Sequence, residues 1–89
     1  MSGMNQNWDD LRFFLAVART NSFVAAAAHL HVTHSTVSRR ITALEAALMT
    51  HLFLRTEKGC RLTAAGEALL PHAEQVETAM MRIEEDISR

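Results

Sequence analysis

Residues 22–48 read SFVAAAAHLHVTHSTVSRRITALEAAL, and this stretch decides the fold. It holds two helical patterns separated by three residues. Ser22 is placed to accept from the first free N–H groups of a helix over Phe23–Leu30. Within it, Ala25-Ala26-Ala27-Ala28 has the highest helix propensity available, and side chains this small let another helix approach closely. His31-Val32-Thr33 is a tight connection, with Thr33 as the next N-cap. From His34 to Leu48 or Met49, Val37, Ile41, Leu44 and Leu48 recur at helical spacing and form the apolar stripe of a second helix. At about 3.6 residues per turn, Ser35, Arg39 and Thr42 fall on the opposite face, with Ser38 at its edge. A permanent cation among short hydroxyls contributes little to a core but can reach phosphates and base edges.

Upstream, Leu11, Phe14, Leu15 and Ala18 mark an amphipathic helix from Trp8 to Arg19. Asn7 is its expected N-cap, and Asp9 and Asp10 suit the positive end of its dipole. Thr20-Asn21-Ser22 is a turn. Downstream the period changes. Leu52–Arg55 and Cys60–Thr63 read as a hairpin closed by Thr56-Glu57-Lys58-Gly59, where Gly59 can take φ > 0. Lys58 sits at its tip, flanked by Arg55 and Arg61. A long helix follows from Ala64 to Ser88, capped by Thr63. Its residues Leu69, Ala73, Val76, Met80, Ile83 and Ile87 are spaced as a heptad seam. Pro71 inside it lacks the N–H that would bond the Glu67 carbonyl, which predicts a kink.

The 89 residues make one small domain with an appendage. At 48% apolar and 21% charged residues, the composition is that of an ordinary globular protein. No apolar run approaches the ~18–20 residues of a membrane span, which predicts no membrane partner. The first seven residues lack the basic-then-apolar pattern of a secretory signal. Cys60 is the only cysteine, so it has no internal disulfide partner, which fits a reducing cytoplasm. The net charge of −1 hides an asymmetry. Residues 34–61 carry five cations against two carboxylates, whereas residues 62–89 carry two against six. A basic middle fits an anionic partner; chance clustering on a solvated surface is the competing reading.

The order helix, helix-turn-helix, basic wing, long seam-bearing helix is far more specific than any one piece. It predicts a mainly α fold: a winged helix-turn-helix over 7–63, with three helices and a two-stranded wing, then a linker helix over 64–88. The residues themselves carry a family resemblance. Phe13-Phe14-Leu15-Ala16-Val17-Ala18, Ser22-Phe23, Ala26-Ala27 with Leu30, and Val32-Thr33 resemble the opening of LysR-type transcriptional regulators. So do Thr36-Val37-Ser38-Arg39-Arg40-Ile41, Leu44-Glu45, Leu52-Phe53, Arg55 and Leu62-Thr63-Ala64-Ala65-Gly66. The resemblance covers about residues 8–88. It implies a bacterial, cytoplasmic DNA-binding domain that pairs through its linker helix. It also implies that any small-molecule effector is sensed by a C-terminal domain outside these residues. Two departures stand out. Met49 replaces the Gly usual after the third helix, so that end either lacks a left-handed cap or holds Met49 under strain. His34 and Ser35 replace a common Gln and a Pro or Ser, which bears on base preference.

The expected DNA contacts follow from these placements. Arg39 and Ser38 come first, because Arg pairs bidentately with guanine O6 and N7. His34, Ser35 and Thr36 lie at a helix N-terminus, which attracts phosphate. Thr33 divides between capping and contact, and Thr42 is a phosphate ligand one turn on. Lys58 reaches the minor groove or a flanking phosphate, as the resemblance implies, and Arg61 contacts phosphate. Arg55 braces the wing, and Arg40 points to the flank. The competing reading for all of these is a solvated helix face and an exposed basic hairpin. The seam residues Leu69, Ala73, Val76, Met80, Ile83 and Ile87 are assigned to a homodimer interface; the alternative is that Leu69, Val76 and Met80 pack on the chain's own first helix.

Catalysis finds no support: G-x-S-x-G, H-E-x-x-H and a Gly-rich phosphate loop are all missing from the sequence. His29, His31, His34, His51, His72 and Cys60 lack the paired spacing of zinc sites, so neither metal nor cofactor is expected. The sequence therefore predicts sequence-specific binding of double-stranded DNA. The rival is a helical protein–protein module that dimerises through the seam.

Overall fold

The structure, a computed structural model, describes residues 8–87. Asn7, the expected first cap, and Ser88, the expected last linker residue, lie outside the described residues. The elements run α1 (Trp8–Thr20), α2 (Phe23–Leu30), α3 (His34–Leu48), β1 (Phe53–Thr56), β2 (Gly59–Leu62) and α4 (Ala64–Ile87). The helix boundaries fall within a residue of the sequence expectation.

Ser22 and Thr33 cap as their chemistry predicts. Ser22 Oγ accepts from the Ala25 N–H at 3.0 Å, and Thr33 Oγ1 from the Thr36 N–H at 3.2 Å. Thr63 caps α4 in the same way, accepting from the Gly66 N–H at 3.0 Å while its hydroxyl donates to the His51 carbonyl. The helix ends are less orthodox. Asn21, His31 and Met49 follow α1, α2 and α3 in the left-handed region, with φ of 57°, 60° and 57°. At Met49 two bonds close the end: Met49 N–H to the Ala46 carbonyl and Thr50 N–H to the Glu45 carbonyl. That is the Schellman arrangement usually supplied by glycine. Of the two options raised by the sequence, Met49 takes the strained cap.

The core lies where α1, α2, α3 and the wing meet. Residues 13–17 of α1 are all buried, so its apolar surface is wider than the stripe read from the sequence. Phe14, Leu15, Val17, Val37, Leu44 and Leu52 are the largest fully enclosed side chains, each contributing roughly 1.5–3 kcal/mol by leaving water. The Phe53 ring of β1 packs 5.4 Å from Phe14 and edge-on at 5.8 Å from Phe23.

The wing pairs in the register of the expected hairpin, with both strands ending one residue nearer the turn. Phe53 faces Leu62, Leu54 faces Arg61, Arg55 faces Cys60 and Thr56 faces Gly59. The turn is Glu57-Lys58 alone, and Gly59 lies in β2 with φ 143°. Leu52 is left outside the strand because its N–H goes to the Glu45 carboxylate. A Cβ on Gly59 would collide with the Asn21 carbonyl oxygen, and one on Gly66 with that of Leu52.

Helix α4 continues through Pro71, so the expected kink does not end it. Glu67 and Pro71 are both exposed, which leaves the unbonded carbonyl toward water. The expected seam is divided. Ala73 is fully buried in the core of its own chain, and Leu69 is half-buried against that core. Ala73 is therefore corrected from a partner contact to a core residue, because α4 packs along α1 there. Farther along, Arg19 of α1 grips Glu77 through two hydrogen bonds of 2.6 and 2.9 Å. Hydrogen bonding from Arg19 holds the Glu77 carboxyl below the usual glutamate range. The folded state thus gains from this pair above the ordinary glutamate range and loses that gain as pH falls through the lowered value.

Met49 is 90% exposed, so its side chain returns little for the backbone strain. Met49→Gly is expected to raise stability by about 1 kcal/mol, or about 4–8 °C in Tm for a domain of this size. A thermal melt with unchanged or lowered Tm would refute the strained-cap account.

Candidate nucleic-acid interface

The outer face of α3 carries Ser35, Arg39 and Thr42, all exposed. Arg39 makes no ion pair or hydrogen bond among the described residues, so its guanidinium is free. Arg40, one residue on, is spent internally. It bonds Asp10 Oδ1 at 3.1 Å and lies over the Phe13 ring at 5.2 Å, tying α3 to α1. At the start of α3, Thr33 and Thr36 join hydroxyl to hydroxyl at 2.9 Å. Thr33 is thus occupied by capping. His34 and Ser35 are exposed beside it, and the His34 ring stands 6.2 Å from that of Phe23. Ser38 and Thr36 are half-buried.

The wing register sorts its cations onto two faces. Arg55 shares the inner face with buried Cys60 and sits 3.9 Å over the Phe23 ring, its Nη2 donating to Ser38 Oγ at 3.5 Å. The stacking fits the bracing role read from the sequence. Arg61 lies opposite Leu54 on the outer face, exposed, and Lys58 occupies the exposed tip beside Glu57. Ser35, Arg39, Thr42, Lys58 and Arg61 therefore stand free at the surface. Thr33, Thr36 and Ser38 bond within their own chain. Burial pushes the Cys60 thiol up, against an opposing pull from Arg55, so the thiol stays neutral and is no nucleophile. Among the described residues, no group of three His, Cys, Asp or Glu side chains is placed to hold a metal ion, and no helix is long and apolar enough to cross a membrane.

Two fastenings, and the ring on which Arg55 braces, went unseen in the sequence. Glu45 Oε2 of α3 accepts from the Leu52 and Phe53 N–H groups at 2.7 and 3.3 Å. The Asn21 carbonyl accepts from the Cys60 N–H at 3.0 Å. Arg55 caps the Phe23 ring. Each joins residues far apart in the chain through groups that sequence periodicity does not mark.

A sequence model of the bacterial regulatory helix-turn-helix proteins of the LysR family matches residues 8–67. The chain belongs to that family. The HTH-type transcriptional regulator YofA of Bacillus velezensis is 49% identical over 67 residues, which is 75% of this chain and 23% of YofA. Among solved structures, the CbnR DNA-binding domain in complex with DNA superposes with a TM-score of 0.85 at 36% identity, covering 91% of this chain and 93% of that one. The BenM DNA-binding domain on its catB site 1 DNA gives 0.89 at 26% identity, covering 94% of each chain. The fold is that of the LysR winged-helix DNA-binding domains, as the sequence predicted. The chain spans about a quarter of the length of YofA.

The Glu45 bonds predict a local effect. Glu45→Ala leaves the Leu52 and Phe53 N–H groups without their charged acceptor, a loss of about 1.5–3 kcal/mol. Amide exchange at Leu52 and Phe53 is expected to accelerate more than at residues 14–17 of α1. Unchanged exchange at those two amides would show that the carboxylate does not hold the wing.

Proposed function

We propose that this chain binds double-stranded DNA sequence-specifically as the DNA-binding domain of a LysR-type regulator. Helix α3 enters the major groove, and the wing lies on the adjacent minor groove or backbone. The observation that carries the reading is the free guanidinium of Arg39 among the hydroxyls of Ser35 and Thr42. That face is presented by a fold shared with two domains solved on DNA. Arg39 reads base edges, with Ser35 beside it. Thr42, Lys58 and Arg61 take phosphates, and His34, Thr36 and Ser38 line the approach to the helix N-terminus. Thr33 positions that N-terminus. The role is regulatory and not catalytic, and it is cytoplasmic. Effector sensing belongs to the remainder of a full-length regulator.

The exposed part of the seam fits a second copy. Val76, Ile83 and Ile87 are 37%, 55% and 76% exposed, with half-buried Met80 between them. An apolar row of this kind along a projecting helix favours a homodimer through α4 over binding to an unrelated protein, since it repeats at coiled-coil spacing. Antiparallel pairing keeps the acidic runs Glu84-Glu85-Asp86 of the two helices apart, whereas parallel pairing would set them side by side. Two domains then address two half-sites.

Anisotropy titrations against an operator and a scrambled duplex at several salt concentrations test the DNA reading. Arg39→Ala is expected to lose about 1–3 kcal/mol of discrimination between the two. Lys58→Ala is expected to weaken both alike and to reduce the slope of log K against log salt by about 0.9. A wild-type domain that ignores DNA at low salt would overturn the reading. For the dimer, Ile83→Glu is expected to shift equilibrium sedimentation toward the monomer mass; a wild-type monomer at micromolar concentration would remove the interface.

A further inference from the structure

His34 and Ser38 are four residues apart and therefore stand one above the other on α3. Their flank lies about 100–140° round the helix from Arg39, on the side that faces the wing rather than the outer face. Two observations place the wing there. The Arg55 guanidinium sits 3.9 Å over Phe23 and 3.5 Å from Ser38 Oγ, and the His34 ring packs 6.2 Å from the same phenylalanine. An imidazole, a hydroxyl and a guanidinium from two elements thus gather around one buried ring. His34 and Arg55 are exposed, and Ser38 is half-buried.

The chemistry of the cluster is that of an anion seat. The Ser38 oxygen accepts from Arg55, so its own proton is left to donate outward. Arg55 keeps further N–H groups beyond the one spent on Ser38. No carboxylate pairs with Arg55 or His34 among the described residues. Charged or titratable groups on the surrounding elements are accounted for. Glu45 of α3 is held by the Leu52 and Phe53 N–H groups, with His51 at 3.7 Å. Cys60 of β2 stays neutral, Glu57 lies at the wing tip, and His31 ends α2. An α3 flank beside a wing meets the wall of a groove, where the phosphates run, while the outer face meets its floor.

We propose that His34, Ser38 and Arg55 form one DNA-phosphate seat between α3 and the wing, and that His34 makes its grip proton-dependent. This rests on the DNA-binding reading above. Imidazole is the side chain whose charge changes between pH 5 and 8. An imidazolium in the seat adds one cation against the phosphate, so DNA binding takes up a proton from solvent and tightens as pH falls. Arg55, beyond bracing the wing, touches the ligand.

The test is the salt slope of binding to a mixed-sequence duplex at pH 6.0 and at pH 8.0. It compares wild type, His34→Gln and Arg55→Gln, with thermal melts of each protein at both pH values. Each phosphate neutralised steepens the slope by about 0.9. The wild type is expected to be steeper at pH 6.0 by up to about that amount and to bind more tightly there. His34→Gln is expected to show the same slope at both pH values. Arg55→Gln is expected to be shallower at both while keeping the pH difference. Equal wild-type slopes, or a pH difference that survives in His34→Gln, would overturn the seat and leave DNA binding intact. An absence of DNA binding at either pH would overturn the DNA reading itself, and the seat with it.

Discussion

A ribbon of two four-residue strands does not hold itself together in water, so the wing depends on what fastens it to the helices. The decisive fastening is the Glu45 carboxylate, which leaves α3 and receives the N–H groups of Leu52 and Phe53. It diverts the Leu52 N–H from the ladder, while the Leu52 carbonyl still accepts from Thr63, and the Phe53 ring lies between Phe14 and Phe23. At the other strand, the Asn21 carbonyl takes the Cys60 N–H, an approach close enough that Gly59 admits no side chain. The wing is thus tied to α3 by a carboxylate and to α1 and α2 by packed aromatic rings.

These fastenings bear on function. A domain that presents α3 to one groove and a hairpin to the next gains affinity only if both arrive together, because ordering a loose wing at the moment of binding costs conformational entropy. Here the ordering is done during folding. Arg55 serves the same end, since its guanidinium covers Phe23 and reaches Ser38. Arg40, in contrast, is withdrawn from the surface by Asp10 and Phe13. Of two adjacent arginines on α3, packing thus leaves Arg39 free and commits Arg40.

Helix α4 divides its length between two tasks. Its first turns complete the core: Gly66 lies against the Leu52 carbonyl, Ala73 is enclosed, and Glu77 is gripped by Arg19. Small residues at 66 and 73 are what close packing requires. Beyond Met80 the same helix has no body beneath it, and Ile83 and Ile87 stay exposed. One apolar row therefore begins inside the domain and ends outside it. A boundary at residue 64 describes the change of element but not the core, which extends into α4.

The sequence by itself determined the element order, the caps at Ser22, Thr33 and Thr63, the turn between α2 and α3, and the polar face around Arg39. These are local matters of propensity, hydrogen-bonding side chains and period, which a chain carries wherever it is placed. The family could be read for the same reason, from ordered short motifs. Tertiary structure alone decided the rest. Strand β1 begins at Phe53 and not at Leu52, because Glu45, seven positions away, claimed the Leu52 N–H. Ala73 left the seam because α1 covered it, and Arg40 and Arg55 found aromatic faces that no spacing rule predicts. Met49 took the left-handed cap despite its Cβ, since the turn into the wing demanded that backbone and no glycine was there to supply it. Long-range contacts of this kind join groups whose separation in sequence carries no periodic signal, so only the packed chain discloses them.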